Sequence, residues 1–277
     1  MEREKQINNV VKFRELHNGG MFSLPNAWNG GSAKVFEKQG FSVIGTTSAG
    51  IAYSLGYEDG EKITFDDVLR VVNEIVTVTN LPLTVDLERG YGSSLEEIQA
   101  NIEKVISLGA VGINIEDGLT ENRSVDSLSY FIKKIKTIVE LREKLDIPFV
   151  INARTDIFLL NIGNDDEMVQ MTIERAKALE EAGADCIFIP GALNEETIIE
   201  LRSSINMPIN LFVNSAFNDI EALNQIGINR LSSGSALART TFKKLINIST
   251  KFNDRDCKSM LAHNFSYDAA NNFFREK

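Results

Sequence analysis

Acidic side chains follow several short apolar runs of the chain, at the point where each run ends. Asp86 and Glu88 come after Leu83–Val85, and Glu116 comes after Gly112–Ile115. Because side chains alternate along an extended segment, we expect Asp86 and Glu88 to lie on the same side. Converging carboxylates repel one another unless a proton or a cation lies between them, and an all-oxygen set suits Mg²⁺. The sequence therefore predicts a magnesium site here, with Mn²⁺ as an alternative ion.

These charged residues also have a structural explanation. Asp and Glu are favoured near helix N-termini, so each acid could cap the helix that follows it. Three acids at neighbouring strand ends nevertheless favour the metal site. Arg154 follows another apolar run. Its guanidinium could bind a substrate carboxylate or phosphonate at two points, or form an ion pair with Asp156.

The elements that must position these residues alternate regularly. Eight apolar runs are each followed by a longer amphipathic stretch, and glycine or proline precedes most of the runs, which is the pattern of repeated βα units. Eight such units predict a closed (β/α)₈ barrel. A doubly wound open sheet is the second choice, but no GxGxxG turn follows the early strands. The runs are Met21–Leu24, Ser42–Gly45, Leu83–Val85, Gly112–Ile115, Phe149–Asn152, Cys186–Ile189, Ile209–Phe212 and Arg230–Ser232.

We predict one α/β domain over residues 1–277, a TIM-type barrel with added helices at both ends. Residues 1–20 form an N-terminal helix, 21–252 the barrel and 253–277 a C-terminal helical tail. Active sites of such barrels lie at the carboxyl ends of the strands. Trp28 and Asn210, near two of these ends, are therefore candidate substrate-binding residues, although Trp28 could equally pack beneath the pocket.

Composition excludes several classes of function. The 277 residues carry a net charge of −10, and 43% are hydrophobic, which is enough for one large core. The acidic balance disfavours nucleic acids and anionic membranes as partners, but a small anionic substrate could still bind in a locally basic or metal-lined pocket. Cys186 and Cys257 have no zinc-type spacing, and we find no secretory or membrane-spanning segment. We therefore expect a soluble cytoplasmic protein.

Five motifs follow one another along the chain: LPNAWN (24–29), GTTSAGIAYSLGYEDGE (45–61), VDLERGYG (85–92), GINIEDG (112–118) and INARTD (151–156). In this order they resemble the motifs of the isocitrate lyase and phosphoenolpyruvate mutase superfamily. The resemblance extends to about Arg239. It implies a barrel that binds Mg²⁺ and a 2-oxo or 2-hydroxy carboxylate, reaction through an enolate-like species, and a homodimer or homotetramer that exchanges its last barrel helix.

The resemblance also implies roles for individual residues. Asp86 would ligate Mg²⁺ directly, while Arg154 would bind one end of the substrate. Asp59 would be important to catalysis, and Arg154 and Glu116 are the other candidate catalytic residues. The acids that would hold metal-bound waters are Asp59, Glu88 and Glu116, and the residues that would bind the substrate carboxylate are Thr47, Ser48 and Ala49.

Two departures from the family pattern bear on the reaction. Glu88 stands where members commonly carry Asp, and Asp117–Ser124 has no Cys or His where isocitrate-type lyases carry an acidic cysteine. Cys186 lies inside an apolar run, where a thiol is more often a core residue. We therefore expect a Mg²⁺-dependent C–C lyase that does not use a cysteine acid. The alternatives are a P–C bond mutase or hydrolase and a non-catalytic carboxylate-binding module.

Overall fold

The computed structural model describes residues 3–262 and 264–275, and these fall into two compact units that divide after Ser235. The helices of the first unit are α1 (Arg3–Asn18), α2 (Gly30–Lys38), α3 (Ser48–Leu55), α4 (Phe65–Val78), α5 (Leu95–Ser107), α6 (Leu128–Leu145), α7 (Ile157–Leu160), α8 (Asp165–Glu181), α9 (Glu195–Ser204) and α10 (Ile220–Ile226). Its strands are β1 (Phe22–Leu24), β2 (Asn26–Ala27), β3 (Ile44–Thr46), β4 (Leu83–Asp86), β5 (Gly112–Glu116), β6 (Gly118–Leu119), β7 (Ser124–Val125), β8 (Val150–Arg154), β9 (Cys186–Phe188), β10 (Ile209–Phe212) and β11 (Arg230–Ser232).

Within the described residues, nine parallel strands form one sheet in the order β1-β11-β10-β9-β8-β5-β4-β3-β2. β1 and β2 are consecutive pieces of one extended segment interrupted at Pro25, and they pair with opposite ends of this series. The sheet therefore runs round through eight positions and closes on the first segment. The predicted α/β barrel of TIM type is confirmed.

The strands begin and end close to the predicted apolar runs, but three of them extend far enough to include a charged residue. Asp86, Glu116 and Arg154 are the last residues of β4, β5 and β8. The expectation that Glu88 continues an extended segment is wrong, because its φ of 48° is left-handed. The chain turns there, and Gly90 donates its N–H to the Leu87 carbonyl at 2.7 Å.

Helix α1 is fastened to the amino ends of the strands. Gln6 Nε2 donates to the carbonyl oxygens of Ile106 and Ala110 at 2.7 and 2.9 Å, just before β5. Arg14 donates to the Pro148 carbonyl, just before β8. Phe13 is fully buried, and a Cβ added to Gly112 would lie 2.8 Å from its ring. Gly112 therefore allows the close approach of α1 to the start of β5.

The second unit contains α11 (Ala236–Asn253), α12 (Cys257–Leu261) and α13 (Tyr267–Arg275). The division after Ser235 falls inside the range predicted for the barrel, so our domain boundaries stay predictions. Among the described residues, we find no helix both long and apolar enough to cross a membrane.

Candidate active site

A cavity of about 180 Å³ opens at the carboxyl ends of the barrel strands. It is smaller than the roughly 300–1,000 Å³ typical of sites for drug-sized ligands, so a small acid is a better match. Six of the predicted site residues line it: Thr47, Ser48, Ala49, Asp59, Asp86 and Arg154. The lining that sequence reasoning did not assign is Asn26, Asn114, Leu159, Phe188, Pro190, Phe212, Ser232, Gly234 and Ser235.

The N-terminus of α3 forms one wall of this cavity. Thr47 is the N-cap and accepts a hydrogen bond from the Gly50 N–H at 3.3 Å. The next residues, Ser48 and Ala49, begin the helix and line the cavity. Unpaired N–H groups and the positive end of the helix dipole make such a terminus a site for anions. The Ser48 N–H points to Asp86 Oδ2 at 3.2 Å.

Asp59 and Asp86 face this same cavity and repel each other. The pKa of Asp59 is raised, first by loss of hydration and then by the charge of Asp86, while bonds from Ser48 and Gly60 oppose the rise. Asp86 is held from behind, because its backbone N–H donates to Thr46 Oγ1 at 2.8 Å. The two carboxylates give the cavity a concentrated negative charge that a bound cation would relieve.

Glu88 fastens the loop that carries Asp59. Its Oε2 accepts the Glu61 N–H at 2.7 Å and its Oε1 accepts the Tyr91 hydroxyl. In return, Glu61 Oε1 accepts the backbone N–H groups of Arg89 and Tyr91 at 3.1 and 2.9 Å. Burial raises the pKa of Glu88 to about 7. Sequence reasoning missed Glu61, whose reciprocal bonds with the loop after β4 gave no signal in spacing.

Arg154 forms the ion pair with Asp156 that its structural explanation predicted, and it forms a second ion pair with Glu116. Its Nη1 lies 2.6 Å from Glu116 Oε2, and its Nε and Nη2 donate to Asp156 at 2.6 and 3.0 Å. These contacts use three of the five N–H groups of a guanidinium, so two can still reach a ligand. Burial raises the pKa of Glu116, and the Arg154 charge opposes that rise.

A buried network holds Asp156 in place behind Arg154. The Asp156 N–H donates to Asp117 Oδ1 at 2.9 Å, and Thr155 Oγ1 donates to Asp117 Oδ2 at 2.8 Å. Arg175 is ion-paired with the same Asp117 oxygen at 2.9 Å. Since fully satisfied buried networks rigidify their surroundings, Arg154 presents its free N–H groups in a fixed direction.

The acids fit Mg²⁺ only in an arrangement with few direct ligands. Among the described residues, no three His, Cys, Asp or Glu side chains are close enough to hold one ion together. Mg²⁺ usually keeps several waters and takes one or two direct carboxylates. Asp86 suits the direct position. Asp59 and Glu116 suit contact through water, whereas both oxygens of Glu88 already accept hydrogen bonds.

Two predicted substrate-binding residues lie elsewhere. Trp28 packs edge-on against Phe36 of α2, with ring centroids 6.5 Å apart, and does not line the cavity. Asn210 is completely buried inside the barrel, and both polar atoms of its side chain lack a hydrogen-bond partner. Roles of Trp28 and Asn210 in binding stay predictions.

Cys186 is also fully buried, and burial raises its pKa to about 12.

The loop after β5 borders a second cavity of about 310 Å³. Gly118–Leu119 and Ser124–Val125 pair as a small antiparallel ribbon at the base of this loop. The residues that line this cavity include Glu88 and Glu116, and also Glu121 and Asn122 of the loop. Lys62 is ion-paired with Glu121 at 3.0 Å, so this loop contacts the loop that carries Asp59.

The family model described as phosphoenolpyruvate phosphomutase matches residues 13–252. The chain belongs to this family. The predicted resemblance to the isocitrate lyase and phosphoenolpyruvate mutase superfamily is thereby confirmed, and relatives of the chain include 2-methylisocitrate lyase and 2,3-dimethylmalate lyase.

Individual members of the family are also similar to this chain. The chain is 33% identical over 190 residues to 2-methylisocitrate lyase of Escherichia coli K12, and the match covers 65% of this chain and 61% of the lyase. It resembles the structure of a candidate lyase/mutase from Burkholderia cenocepacia J2315, with a TM-score of 0.91, 27% identity and coverage of 99% and 98% of the two chains. It shares its fold with phosphonopyruvate hydrolase solved with oxalate and Mg²⁺, at a TM-score of 0.84, 21% identity and coverage of 96% and 94%.

Proposed function

We propose that this protein is a Mg²⁺-dependent lyase that cleaves a C–C bond of a small 2-oxo or 2-hydroxy carboxylate through an enolate. The observation that carries the proposal is one small cavity that combines a helix N-terminus, Arg154 and two facing carboxylates. The first two features bind anions, and the third can hold a divalent cation. The likeness to 2-methylisocitrate lyase supports this class of reaction.

The substrate is held at its two ends. The Ala49 N–H and the hydroxyl groups of Thr47 and Ser48 at the start of α3 bind one carboxylate. The two remaining N–H groups of Arg154 bind the other end of the substrate, while Glu116 and Asp156 keep the guanidinium in place. Phe188 and Phe212 form an apolar side of the cavity, which excludes water from the carbon chain between these ends.

Asp86 would bind Mg²⁺ directly, with Asp59 and Glu116 holding its waters. When bound, the cation supplies positive charge that stabilises the oxygen on which negative charge develops.

Asp59 is the candidate base for a 2-hydroxy substrate. It takes the hydroxyl proton as the C–C bond breaks, and a carbonyl forms in one product. The bonding electron pair passes to the other product as an enolate, which the dipoles at the α3 N-terminus stabilise. Among the described residues that line the cavity, none is a cysteine or histidine, so solvent supplies the last proton.

A small substrate panel tests the proposal. The purified protein is assayed with 2-methylisocitrate, oxaloacetate and phosphonopyruvate, each with Mg²⁺ and again with EDTA. We expect release of a 2-oxo acid or CO₂ from one of the carbon acids, and loss of that activity in EDTA. Cleavage of phosphonopyruvate alone would replace the lyase with the P–C enzyme, and oxalate binding without any turnover would favour a binding module.

We further propose that the enzyme works in the cytoplasm as a homodimer or homotetramer. Both cysteines are free, which suits a reducing compartment.

A further inference from the structure

Arg230, the first residue of β11, is a buried cation inside the barrel. Its side chain is completely inaccessible to solvent. Among the described residues we find no carboxylate paired with it, although every other buried guanidinium discussed above has one. Nε and Nη1 of Arg230 lack hydrogen-bond partners, and the Phe13 ring lies 5.7 Å from its Cζ. The charge of Arg230 is therefore not neutralised locally.

This charge persists at neutral pH. Burial lowers the pKa of Arg230 to about 10, which still leaves the guanidinium protonated. An unneutralised charge in a low-dielectric interior acts over a longer range than one in water. Two acidic groups oppose this lowering of the Arg230 pKa, first the buried Cys186 thiol and then Asp86, which faces the cavity. The field of Arg230 thus reaches the site from the interior of the barrel.

Arg230 also determines which way the Asn114 amide points. Its Nη2 donates to Asn114 Oδ1 at 3.2 Å, and Asn152 Nδ2 donates to the same oxygen at 2.7 Å. A guanidinium can only donate, so the atom of Asn114 that it contacts must be the oxygen. The Asn114 NH₂ group is left without a hydrogen bond to any described residue, and Asn114 lines the cavity.

We propose that Arg230 is a positioning residue of the anion site, which supplies positive charge from inside the barrel and, with Asn152, turns the Asn114 NH₂ group toward the bound acid. The proposal rests on the proposed function only in assuming that the cavity binds an anion. Asn114 and Asp86 are register partners on neighbouring strands, so Arg230 acts on both sides of the site: it favours the anion and opposes the cation.

Oxalate and Mg²⁺ are the two probes, each titrated calorimetrically into the full-length protein. For Arg230→Met we expect oxalate affinity, measured with Mg²⁺ present, to fall about tenfold, because a buried positive charge is lost. Affinity for Mg²⁺ alone should stay the same or rise. A purely structural role would weaken the binding of both oxalate and Mg²⁺. A loss of oxalate affinity without a loss of Mg²⁺ affinity therefore identifies the electrostatic effect.

Arg142→Met is the matched control. Arg142 is partly buried and ion-paired with Asp185 at 2.7 Å, just before β9 and away from the cavity. This variant should lose thermal stability and keep both affinities. If Arg230→Met does not fold, Asn152→Leu tests the same proposal, since it removes the second donor to Asn114 and leaves the charge; its oxalate affinity should fall about threefold.

The outcomes separate the two proposals. The inference is overturned if Arg230→Met binds oxalate within twofold of wild type. If that variant does not fold, unchanged oxalate affinity in Asn152→Leu overturns it. Either result leaves the lyase assignment standing. Loss of oxalate affinity in a protein that turns over no acid of the panel supports the inference and removes the lyase. A wild-type protein that binds no oxalate overturns both.

Discussion

Glu116 and Arg154 are register partners on the adjacent strands β5 and β8, and their side chains form an ion pair at 2.6 Å. Strand pairing, rather than a loop, therefore sets the distance between a proposed holder of metal waters and the proposed substrate cation. Sites built on sheet strands keep their geometry more accurately than sites built on loops. The carboxylate of Glu116 and the guanidinium of Arg154 are thus fixed relative to each other.

Asp86→Asn should lose most of its affinity for Mg²⁺, because one direct carboxylate contributes much of the charge in such a site. Calorimetric titration of Mg²⁺ into the purified variant measures this. Asp66→Asn is the control, since Asp66 is an exposed residue at the start of α4. An affinity equal to that of wild type would remove Asp86 from the metal site.

Gly118→Ala should weaken substrate binding without changing any charged residue. A Cβ at Gly118 would collide with the Asp156 carboxylate, which holds Arg154. We expect the displaced Asp156 to shift the guanidinium and raise the dissociation constant of oxalate. Gly31→Ala, in α2, is the matched control, because its new Cβ would meet only Asn29 Oδ1 at 3.5 Å. Equal oxalate affinities of the two variants would contradict the expectation.

His17 should make the fold sensitive to acid. Burial, followed by the charge of Arg230, lowers the pKa of His17 from 6.5 to about 3. The unfolded chain therefore binds a proton at higher pH than the folded chain, and stability is lost as pH falls from 6.5 toward 3. Between pH 7 and pH 5 this contribution amounts to about 2 kcal/mol.

His17→Leu removes that contribution while keeping an apolar side chain between the Phe13 and Phe22 rings. Urea unfolding at pH 7 and pH 5 should show a smaller loss of stability in the variant than in wild type. Identical losses in the two proteins would show that His17 is not protonated on unfolding in this range.

Cys186→Ala should retain most of the turnover found with the substrate panel. Its thiol is fully buried in β9 and does not line the cavity. We expect a stability loss of about 1–2 kcal/mol from the smaller side chain, measured by thermal unfolding. A fall in kcat of roughly 10² to 10⁴, with Mg²⁺ affinity unchanged, would instead mark the thiol as a proton donor.

Self-association should involve helix α11. Leu245 and Ile246 are 56% and 59% exposed on this helix, and we propose that they contact another subunit. Light scattering should report a mass for the wild-type protein that is a multiple of the subunit mass of 30.8 kDa. The mass of Leu245→Asp should be shifted toward that of a single subunit. Thr240→Asp, an exposed position on the opposite face of the helix, is the control. A 30.8 kDa wild-type species at micromolar concentration would contradict the prediction.

Periodicity was sufficient to predict the barrel. Apolar runs alternate with amphipathic helices, which predicts parallel strands whose carboxyl ends meet at one face of the barrel. Asp86, Glu116 and Arg154 follow three of these runs, so they were predicted to lie close together. The thiol of Cys186 was also correctly expected in the core, because its neighbours along β9 are apolar.

Periodicity could not predict features that depend on individual dihedral angles or on contacts between distant segments. The left-handed backbone at Glu88 replaces strand alternation with a turn, and its carboxylate fastens a loop and does not line the cavity that contains Asp59 and Asp86. Arg230 opens a short strand whose sequence, Arg-Leu-Ser, does not reveal that the guanidinium points into the barrel. Its bond to Asn114 spans 116 residues and leaves no local pattern.

The attachment of α1 to the amino ends of the strands has a kinetic consequence. With Phe13 packed against Gly112 and Arg230, that end of the barrel is plugged, and small molecules exchange with solvent at the opposite end. A reaction that makes two products from one acid must then release them through the same opening, one after the other. The fragment nearer the mouth leaves first. The deeper fragment leaves last, from an enzyme that is then free, and so it should compete with the substrate for the free enzyme and act as a competitive product inhibitor.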